Sequence, residues 1–290
     1  MESPSVIAVV LNWCGEAVTT ACIRSLLASD YPALTVLLVD SASPDGSGDR
    51  LHASFPDLPY LQTPTNLGYA GGNNRGIEWA LRGGCDYVLI LNNDTEIAPD
   101  AVGHLVSAAS VGEDVGAVAP KILYHADPDR IWFGGGEFRR ARALGTHDRE
   151  GELDGQQEEA PREVSFLTGC CLLLPASILR AVGGFEEDFF AYVEDVDLSL
   201  RLTNAGYRLL YVPSARVLHH VPLQEAAPTP FQIYHRDRNR RRLVRRRYGA
   251  IDRLRFDFFF YPTRVCHAFR YLAQRALPRA SAIWRGMTER

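Results

Sequence analysis

The sequence predicts an α/β protein in which an open, mostly parallel sheet is flanked by helices and followed by a basic helical tail. In its first third, short apolar runs alternate with segments of helical spacing, an order typical of parallel sheets. Charge divides the 290 residues in a similar way: residues 1–230 carry 15 basic and 31 acidic side chains, and residues 231–290 carry 16 and 4. We therefore expect a globular body and a separate basic extension.

Each element of the first third follows from the spacing of its apolar residues. Residues 6–11, 36–39 and 87–91 are short, continuous apolar runs, which predict strands buried on both faces. Residues 16–29 and 68–81 place apolar side chains at helical intervals, which predicts a helix in each.

Polar residues follow the predicted strands. Asn12, Asp40-Ser41 and the run Asn92-Asn93-Asp94 stand where three strands end, and ligands of open α/β sheets bind at the carboxyl ends of the strands. We therefore expect one shared site. Asp40 could accept hydrogen bonds from a base or a ribose, and Asp94 could bind Mg²⁺ or Mn²⁺, which prefer oxygen ligands.

Two common nucleotide-binding motifs are incomplete. Residues 46–51 nearly match G-x-G-x-x-G, but Leu51 replaces the third glycine, and the first strand lacks the motif. A dinucleotide-binding dehydrogenase is therefore a weak alternative. A P-loop is excluded because Lys121 is the only lysine and follows no glycine-rich loop.

Seven short motifs occur in order along the chain. They are Val9–Trp13, Val39–Ser47, Asn66–Gly76, Leu91–Thr95, Leu167–Cys170, Gly184–Phe190 and Tyr192–Leu198. In this order they resemble family 2 glycosyltransferases of the GT-A fold, and particularly the rhamnosyltransferase-like branch that builds bacterial cell-envelope polysaccharides. The resemblance extends over about residues 5–250. It implies a GT-A domain at 1–230, with a nucleotide-sugar-binding half (1–120), an acceptor half (121–230) and an Arg-rich helical extension (231–290).

The resemblance implies which residues bind the donor. They are Asn12, Asp40, Ser41, Asn66, Gly71, Gly72, Asn73 and Asn93. Asp40 would contact the base, and Ser41 stands where the family commonly has Asn. Gly71 and Gly72 would admit close backbone approach at a helix N-terminus that favours phosphate.

The resemblance also implies a metal site for Mn²⁺ or Mg²⁺. Asn92 to Asp94 would be a variant D-x-D motif in which Asn92 replaces the first acid and Asp94 is the main ligand. A histidine after the strand at 211–218 would complete the site. Because neighbours on an extended segment point in opposite directions, only one of His219 and His220 can serve, and the spacing favours His219.

The segment 192–201 contains the residue expected to catalyse sugar transfer. Inversion needs one carboxylate to accept the proton of the attacking acceptor hydroxyl, and Asp195 is the candidate base. Glu194 could hold an acceptor hydroxyl, and Thr168-Gly169 would border the acceptor pocket by resemblance. Acids also favour helix N-termini through the helix dipole, so a structural role for this pair stays open.

The tail has three interpretations. Eight arginines fall within residues 236–247, and aromatic residues interleaved with arginine follow. This pattern favours an anionic membrane surface over nucleic acid. A helix that packs its Phe residues on the core and turns Arg outward is an equal alternative.

Together these features predict a metal-dependent inverting glycosyltransferase. It would move a sugar, with rhamnose a candidate, from a UDP- or dTDP-sugar to a cell-envelope polysaccharide or lipid-linked glycan. The N-terminus resembles no signal peptide, so we expect a cytoplasmic protein with peripheral contact on the inner face of the membrane. The alternatives are a catalytically inactive nucleotide-sugar-binding protein of the same fold and an Arg-rich interaction protein that binds membrane or nucleic acid.

Overall fold

The N-terminal half alternates strands and helices as predicted. The structure, a computed structural model, describes residues 3–155, 160–223 and 227–289. Its first elements are β1 (Val6–Asn12), α1 (Glu16–Leu27), β2 (Leu34–Asp40), α2 (Ser47–Ser54), β3 (Tyr60–Gln62), α3 (Gly68–Arg82) and β4 (Tyr87–Asn92). β1, β2 and β4 are almost entirely buried, because each is an apolar run with helices packed beside the sheet.

These four strands form a parallel sheet in the order β3-β2-β1-β4. The register pairs Asn12 with Asp40 and Leu11 with Asn92. The polar residues that follow the three buried strands therefore stand along one edge of the sheet. The fold class predicted from the sequence is confirmed.

The second half extends the same sheet with strands of both directions. Its elements are β5 (Thr95–Ile97), α4 (Ala101–Ala109), β6 (Val115–Tyr124), β7 (Asp127–Phe133), β8 (Gly136–Arg139), β9 (Leu144–His147), β10 (Arg162–Val164), β11 (Cys171–Pro175), α5 (Ala176–Val182), α6 (Glu194–Asn204) and β12 (Arg208–His219). β11 lies antiparallel between β4 and β6, and β12 runs parallel to β6. β12 thus ends at the same edge as β4, and β5 pairs with it there.

Strands β8 and β9 form a separate hairpin. The spacing of residues 144–147 in the sequence gives no sign of a strand.

Three helices end the chain: α7 (Pro230–Arg247), α8 (Ala250–Ala273) and α9 (Leu277–Thr288). Thr229 and Gln232 cap the start of α7 through reciprocal side-chain and backbone hydrogen bonds, which fixes where the helix begins. Within the described residues, no helix combines the length and apolar composition needed to cross a bilayer.

Candidate active site

A cavity of about 770 Å³ opens at the edge of the sheet where β4 and β12 end. Its lining comes from the β4–β5 turn, the residues before β11, the first turn of α6 and the last residue of β12. Seven residues singled out from the sequence take part: Asn92, Asp94, Thr168, Gly169, Glu194, Asp195 and His219. Side chains expected to hold a metal, to act as base and to border an acceptor therefore share one space.

Asp94 and His219 meet at one side of this cavity. The Nε2 atom of His219 lies 3.2 Å from Oδ1 of Asp94, because β5 pairs with β12 and sets His219 opposite Thr95. The ring of Trp132 packs edge-on against His219, with centroids 4.4 Å apart. This packing fixes the imidazole where it faces the carboxylate.

Buried polar atoms without partners surround this contact. Among the described residues, no hydrogen-bond partner reaches Oδ1 of Asn92, and Oδ1 of Asp94 has no hydrogen-bond donor beyond its contact with Nε2 of His219. Buried polar atoms are usually satisfied, so such a group suggests an absent ion or water. Carboxylate, amide and imidazole donors suit Mn²⁺ or Mg²⁺, so these three side chains fit the metal that the sequence implies.

His220 faces away from Asp94. Its Nε2 lies 2.7 Å from Oε1 of Glu96, and its ring stacks on that of His125 at a centroid distance of 3.6 Å. Glu96, His125 and His220 form a second group of metal-ligand type, outside the residues that line the cavity. Nε2 of His125 also lies 3.4 Å from Oε1 of Glu96, so both rings face the same carboxylate oxygen.

Asp195 presents its carboxylate to the cavity from the first turn of α6. Its Oδ2 accepts a hydrogen bond from the amide of Gly169 at 3.1 Å, and its Oδ1 accepts one from the amide of Val196 at 2.8 Å. Burial raises the pKa of Asp195, and the two amide hydrogen bonds oppose that rise. A carboxylate with a raised pKa is suited to accept a proton.

Glu194 lies in a different environment from its neighbour. Its side chain is buried, and its Oε2 atom has no hydrogen-bond partner within the described part of the chain. Burial, together with the charge of Asp195, raises the pKa of Glu194 well above its usual range. Adjacent carboxyl groups with different environments can divide into an acid and a base.

The backbone that leads into α6 is strained. Phe190, Tyr192 and Val193 have φ angles of 65°, 69° and 77°, a left-handed region that a β-branched residue such as Val193 rarely adopts. Such strain persists only where the surroundings impose it, often at functional sites.

Asn239 of α7 holds this strained segment. It is fully buried, and its Nδ2 lies within hydrogen-bond distance of three carbonyls of the segment. The acceptors are the oxygens of Phe189 (2.8 Å), Ala191 (2.9 Å) and Tyr192 (2.8 Å). The spacing of residues in the sequence gives no sign of this contact.

The loop after β2 uses the residues expected to bind the base. Asp40 is fully buried, and its carboxylate accepts hydrogen bonds from the Asn12 side chain at 2.8 Å and from the Ser43 hydroxyl and amide at 2.6 and 3.0 Å. Asn12 also donates to Ser47 and accepts from Thr19. In this arrangement both side chains hold the loop together.

Ser41 and Asn66 lie beside this loop. The Ser41 hydroxyl donates to the Asn66 side chain at 3.3 Å and accepts from the amide of Leu67 at 3.1 Å. Asn93 donates from its Nδ2 to the Thr19 hydroxyl at 2.7 Å. These contacts join the ends of β1, β2 and β4 at the predicted donor edge.

The glycines of α3 are needed for packing. A Cβ at Gly72 would lie 2.5 Å from Cδ1 of Leu11, and one at Gly71 would lie 2.8 Å from Cβ of Leu67. A side chain at either position would therefore clash with the leucine that it faces. Asn73 is fully buried and donates to the carbonyl of Tyr69 at 2.9 Å.

Thr168 and Gly169 border the cavity beside Asp195. The hydroxyl of Tyr69 donates to the carbonyl of Gly169 at 2.6 Å, and the Thr168 hydroxyl accepts from the amide of Cys170 at 3.3 Å. A Cβ at Gly169 would lie 3.0 Å from the Tyr69 hydroxyl and 3.4 Å from Cβ of Asp195. Any larger side chain would crowd the candidate base.

Most arginines of α7 bind the body of the protein. Arg247 pairs with Asp197 at 2.8 Å, and Arg246 pairs with Glu186 at 3.0 Å. Arg241 is buried and donates to the carbonyl of Gly286 at 3.0 Å. Two others, Arg236 and Arg240, line the cavity. The arginine cluster thus fastens α7 to its surroundings and adds positive charge to the site.

Comparison with known families and proteins gives a consistent result. The family model described as "Glycosyl transferase family 2" matches residues 5–183. An N-acetylglucosaminyl-diphospho-decaprenol L-rhamnosyltransferase of Mycobacterium tuberculosis is 36% identical over 219 residues, which cover 67% of this chain and 68% of the relative. The galactofuranosyltransferase GlfT1 of the same organism is 28% identical over 79% of this chain and 80% of its own.

Solved structures share the fold. GalNAc-T7 with UDP, GalNAc and Mn²⁺ aligns with a TM-score of 0.64 and 15% identity, over 83% of this chain and 48% of that one. The mannosyltransferase PcManGT from Pyrobaculum calidifontis, in complex with GDP-Man and Mn²⁺, aligns with a TM-score of 0.58 and 19% identity, over 98% of this chain and 74% of that one.

Proposed function

Because the chain belongs to glycosyl transferase family 2, and is therefore a glycosyltransferase, we propose that it is a metal-dependent inverting enzyme. Its donor would be a UDP- or dTDP-sugar and its acceptor a lipid-linked or cell-envelope glycan. One observation supports this above the others: Asp94, His219 and Asp195 face the same cavity. In a metal-dependent transfer, the cation binds the donor phosphate and the base meets the acceptor hydroxyl, so the two must share one space.

Asp195 is the proposed catalytic base. Its carboxylate accepts the proton of an acceptor hydroxyl as that oxygen forms a bond to the anomeric carbon. The bond between the anomeric carbon and the nucleoside diphosphate breaks, and its electron pair leaves with the diphosphate. One displacement from the face opposite the leaving group inverts the anomeric centre. The amide of Gly169, which donates to Oδ2 at 3.1 Å, keeps the carboxylate oriented.

Glu194, Thr168 and Gly169 are the proposed acceptor-binding residues. The pKa of Glu194 is raised by burial and by the neighbouring charge, so this carboxyl group keeps its proton and can donate a hydrogen bond to an acceptor oxygen. Gly169 leaves room beside Asp195 for the acceptor hydroxyl.

Asn92, Asp94 and His219 are the proposed ligands of Mn²⁺ or Mg²⁺. The ion would neutralise negative charge on the leaving diphosphate. Their unpartnered buried atoms support this assignment, as does the presence of Mn²⁺ in the solved structures of GalNAc-T7 and PcManGT.

The proposed donor-binding residues lie along the edge where β1, β2 and β4 end. They are Asn12, Asp40, Ser41, Asn66, Gly71, Gly72, Asn73 and Asn93. Asp40 and Asn12 would act by shaping the loop against which the base stacks, since their side chains are buried and hydrogen-bonded within it. We assign residues 1–120 to the donor half, 121–230 to the acceptor half and 231–290 to the extension.

The relative's name supports rhamnose as the sugar and a lipid diphosphate as the acceptor carrier. That protein is called an L-rhamnosyltransferase of N-acetylglucosaminyl-diphospho-decaprenol. By this proposal the enzyme works on the inner face of the cell membrane, in peripheral contact with it.

A donor panel tests the proposal. The purified chain is incubated with dTDP-rhamnose, UDP-sugars and GDP-mannose, a soluble N-acetylglucosaminyl diphospholipid analogue and Mn²⁺. We expect transfer from dTDP-rhamnose, with inverted configuration in the product by NMR. Donor binding without transfer to any acceptor of this class would favour the inactive binding protein, and a retained anomeric configuration would exclude the displacement.

A further inference from the structure

Helix α8 has two unlike faces. Phe256 and Phe260 are buried against the body, whereas the opposite face is apolar and open to solvent. An α-helix turns by about 100° per residue, and on this scale the apolar residues of the open face lie within an arc of about 120°. They are Ile251, Leu254, Phe258, Tyr261, Pro262, Val265, Phe269 and Leu272, here called the α8 stripe. Phe258 is 75% exposed and Leu254 is 71% exposed, so the stripe covers nothing within the described chain.

The stripe is long and its surroundings are basic. A helix of 24 residues extends for about 36 Å, and the stripe follows most of it. On the helix and just after it, Arg253, Arg255, Arg270 and Arg275 are exposed, against one exposed acid on the helix, Asp257. A contiguous exposed apolar surface of this kind marks an interaction site, and its basic flanks complement an anionic partner.

Helix α8 also lies next to the cavity. Arg240 lines the cavity, and its guanidinium lies over the rings of Phe256 and Phe260 at 5.6 and 5.0 Å. At the start of the helix, Asp252 pairs with Arg140 at 2.8 Å, close to the β8–β9 hairpin that supplies part of the cavity wall. One side chain thus separates the cavity from the buried face of α8.

We propose that the α8 stripe docks the enzyme onto an anionic bilayer surface, with α8 lying in the plane of the interface. The apolar side chains would enter the boundary between headgroups and acyl chains, and the flanking arginines would contact anionic headgroups. The inference deepens the proposed function and rests on its lipid-linked acceptor, whose diphosphate would enter the cavity from the membrane side. A second copy of the chain fits less well, since it would bring equally basic flanks together.

Vesicle flotation of the full chain tests the docking surface. The vesicles contain phosphatidylcholine with about one-third phosphatidylglycerol, or phosphatidylcholine alone. The stripe variant carries Leu254→Gln, Phe258→Gln and Phe269→Gln. The matched control carries Leu27→Gln, Val111→Gln and Leu153→Gln, which are similarly exposed apolar residues elsewhere on the body.

We expect the natural chain and the control to float with the anionic vesicles. The stripe variant should lose at least about tenfold in partitioning, because three exposed apolar side chains are removed. Equal flotation of the stripe variant and the control would overturn the proposal. Dimerisation of the natural chain by light scattering, abolished only in the stripe variant, would assign the stripe to a second copy instead.

Calorimetry with dTDP, UDP and Mn²⁺ separates this inference from the proposed function. Both variants should bind the nucleotide like the natural chain. If no protein binds either nucleotide while flotation still follows the stripe, the proposed function fails and the docking surface stands.

Discussion

His219 and Asp94 face each other across the candidate site, with Nε2 of the histidine 3.2 Å from Oδ1 of the carboxylate. Two ligands of one octahedral ion with bonds of about 2.1 Å lie about 3 Å apart, so the observed spacing suits a shared cation. The pairing of β5 with β12 sets this distance. The sheet itself therefore brings the two side chains together.

Removal of either ligand should weaken metal binding. We expect Asp94→Asn and His219→Ala each to reduce Mn²⁺ affinity by at least about tenfold, because changes at a metal site commonly cost that much or more. Titration with Mn²⁺ followed by electron paramagnetic resonance measures the affinity. His220→Ala is the control, since its ring contacts Glu96; an equal loss in that variant would contradict the assignment.

Replacement of the base should affect turnover and spare donor binding. We expect Asp195→Asn to lower kcat by about 10²- to 10⁴-fold, the range of general-base catalysis, with the donor Kd unchanged. Steady-state kinetics and calorimetry measure the two quantities. Glu113→Gln, an exposed acid on the body, should keep full activity. A kcat within about twofold of the natural chain in Asp195→Asn would exclude Asp195 as the base.

Glu194 should make stability depend on pH. Its raised pKa in the folded state means that the folded protein keeps a proton which the unfolded chain releases above about pH 4.3. The stabilising contribution is complete below that pH and is lost as pH rises through the folded pKa. Glu194→Gln cannot titrate, so urea unfolding should show a smaller loss of stability between pH 5 and pH 8 than in the natural chain.

Urea unfolding would contradict this interpretation if the two proteins lost the same free energy over that interval. Glu163→Gln is the control for a titratable acid on the surface. It should leave the pH dependence as it is in the natural chain.

Asn239 should act on catalysis through the strained segment. Asn239→Ala leaves the buried carbonyls of Ala191 and Tyr192 without their donor, which costs about 1–3 kcal/mol of stability and releases the backbone that presents Asp195. We expect kcat to fall by about tenfold or more, as misplaced catalytic groups cause, and the acidic limb of the pH–rate profile to move. Asn239→Asp should have the same effect as Asn239→Ala, because a carboxylate cannot donate a hydrogen bond to these carbonyls. If the shape of the pH–rate profile and KM stay the same and only the fraction of active protein falls, Asn239 has only a stabilising role.

The sequence predicts the parallel half of the fold well, because each strand and helix there is indicated by the pattern of its own residues. The run Val6–Leu11 is apolar without interruption, and such a run is stable only as a strand covered on both faces. The strands β6 to β12 are harder to predict, since β11 inserts between β4 and β6 and its neighbours are distant in the chain. The strand β9 is polar enough to resemble a loop.

Prediction of the candidate site from the sequence is limited in the same way, because contacts between distant residues are not visible in it. Asp94, Asp195 and His219 stand out in the sequence because a resemblance marks their positions. Trp132 and Asn239 do not stand out in the sequence. The ring of Trp132 packs on His219, and the side-chain amide of Asn239 binds a backbone segment, and both roles depend on tertiary contacts. For a related reason, the sequence gives no sign that Arg247 and Arg246 of the arginine cluster have acidic partners in the body.

The most direct test of the account is restoration of sugar transfer by metal. The natural chain and Asp94→Asn are stripped with EDTA, dialysed and assayed for transfer from the preferred donor at increasing Mn²⁺. Saturable recovery in the natural chain, with little recovery in Asp94→Asn at the same Mn²⁺ concentration, is the predicted result. Full transfer by the stripped natural chain, or equal recovery by the two proteins, would contradict a metal site formed by Asp94 and His219.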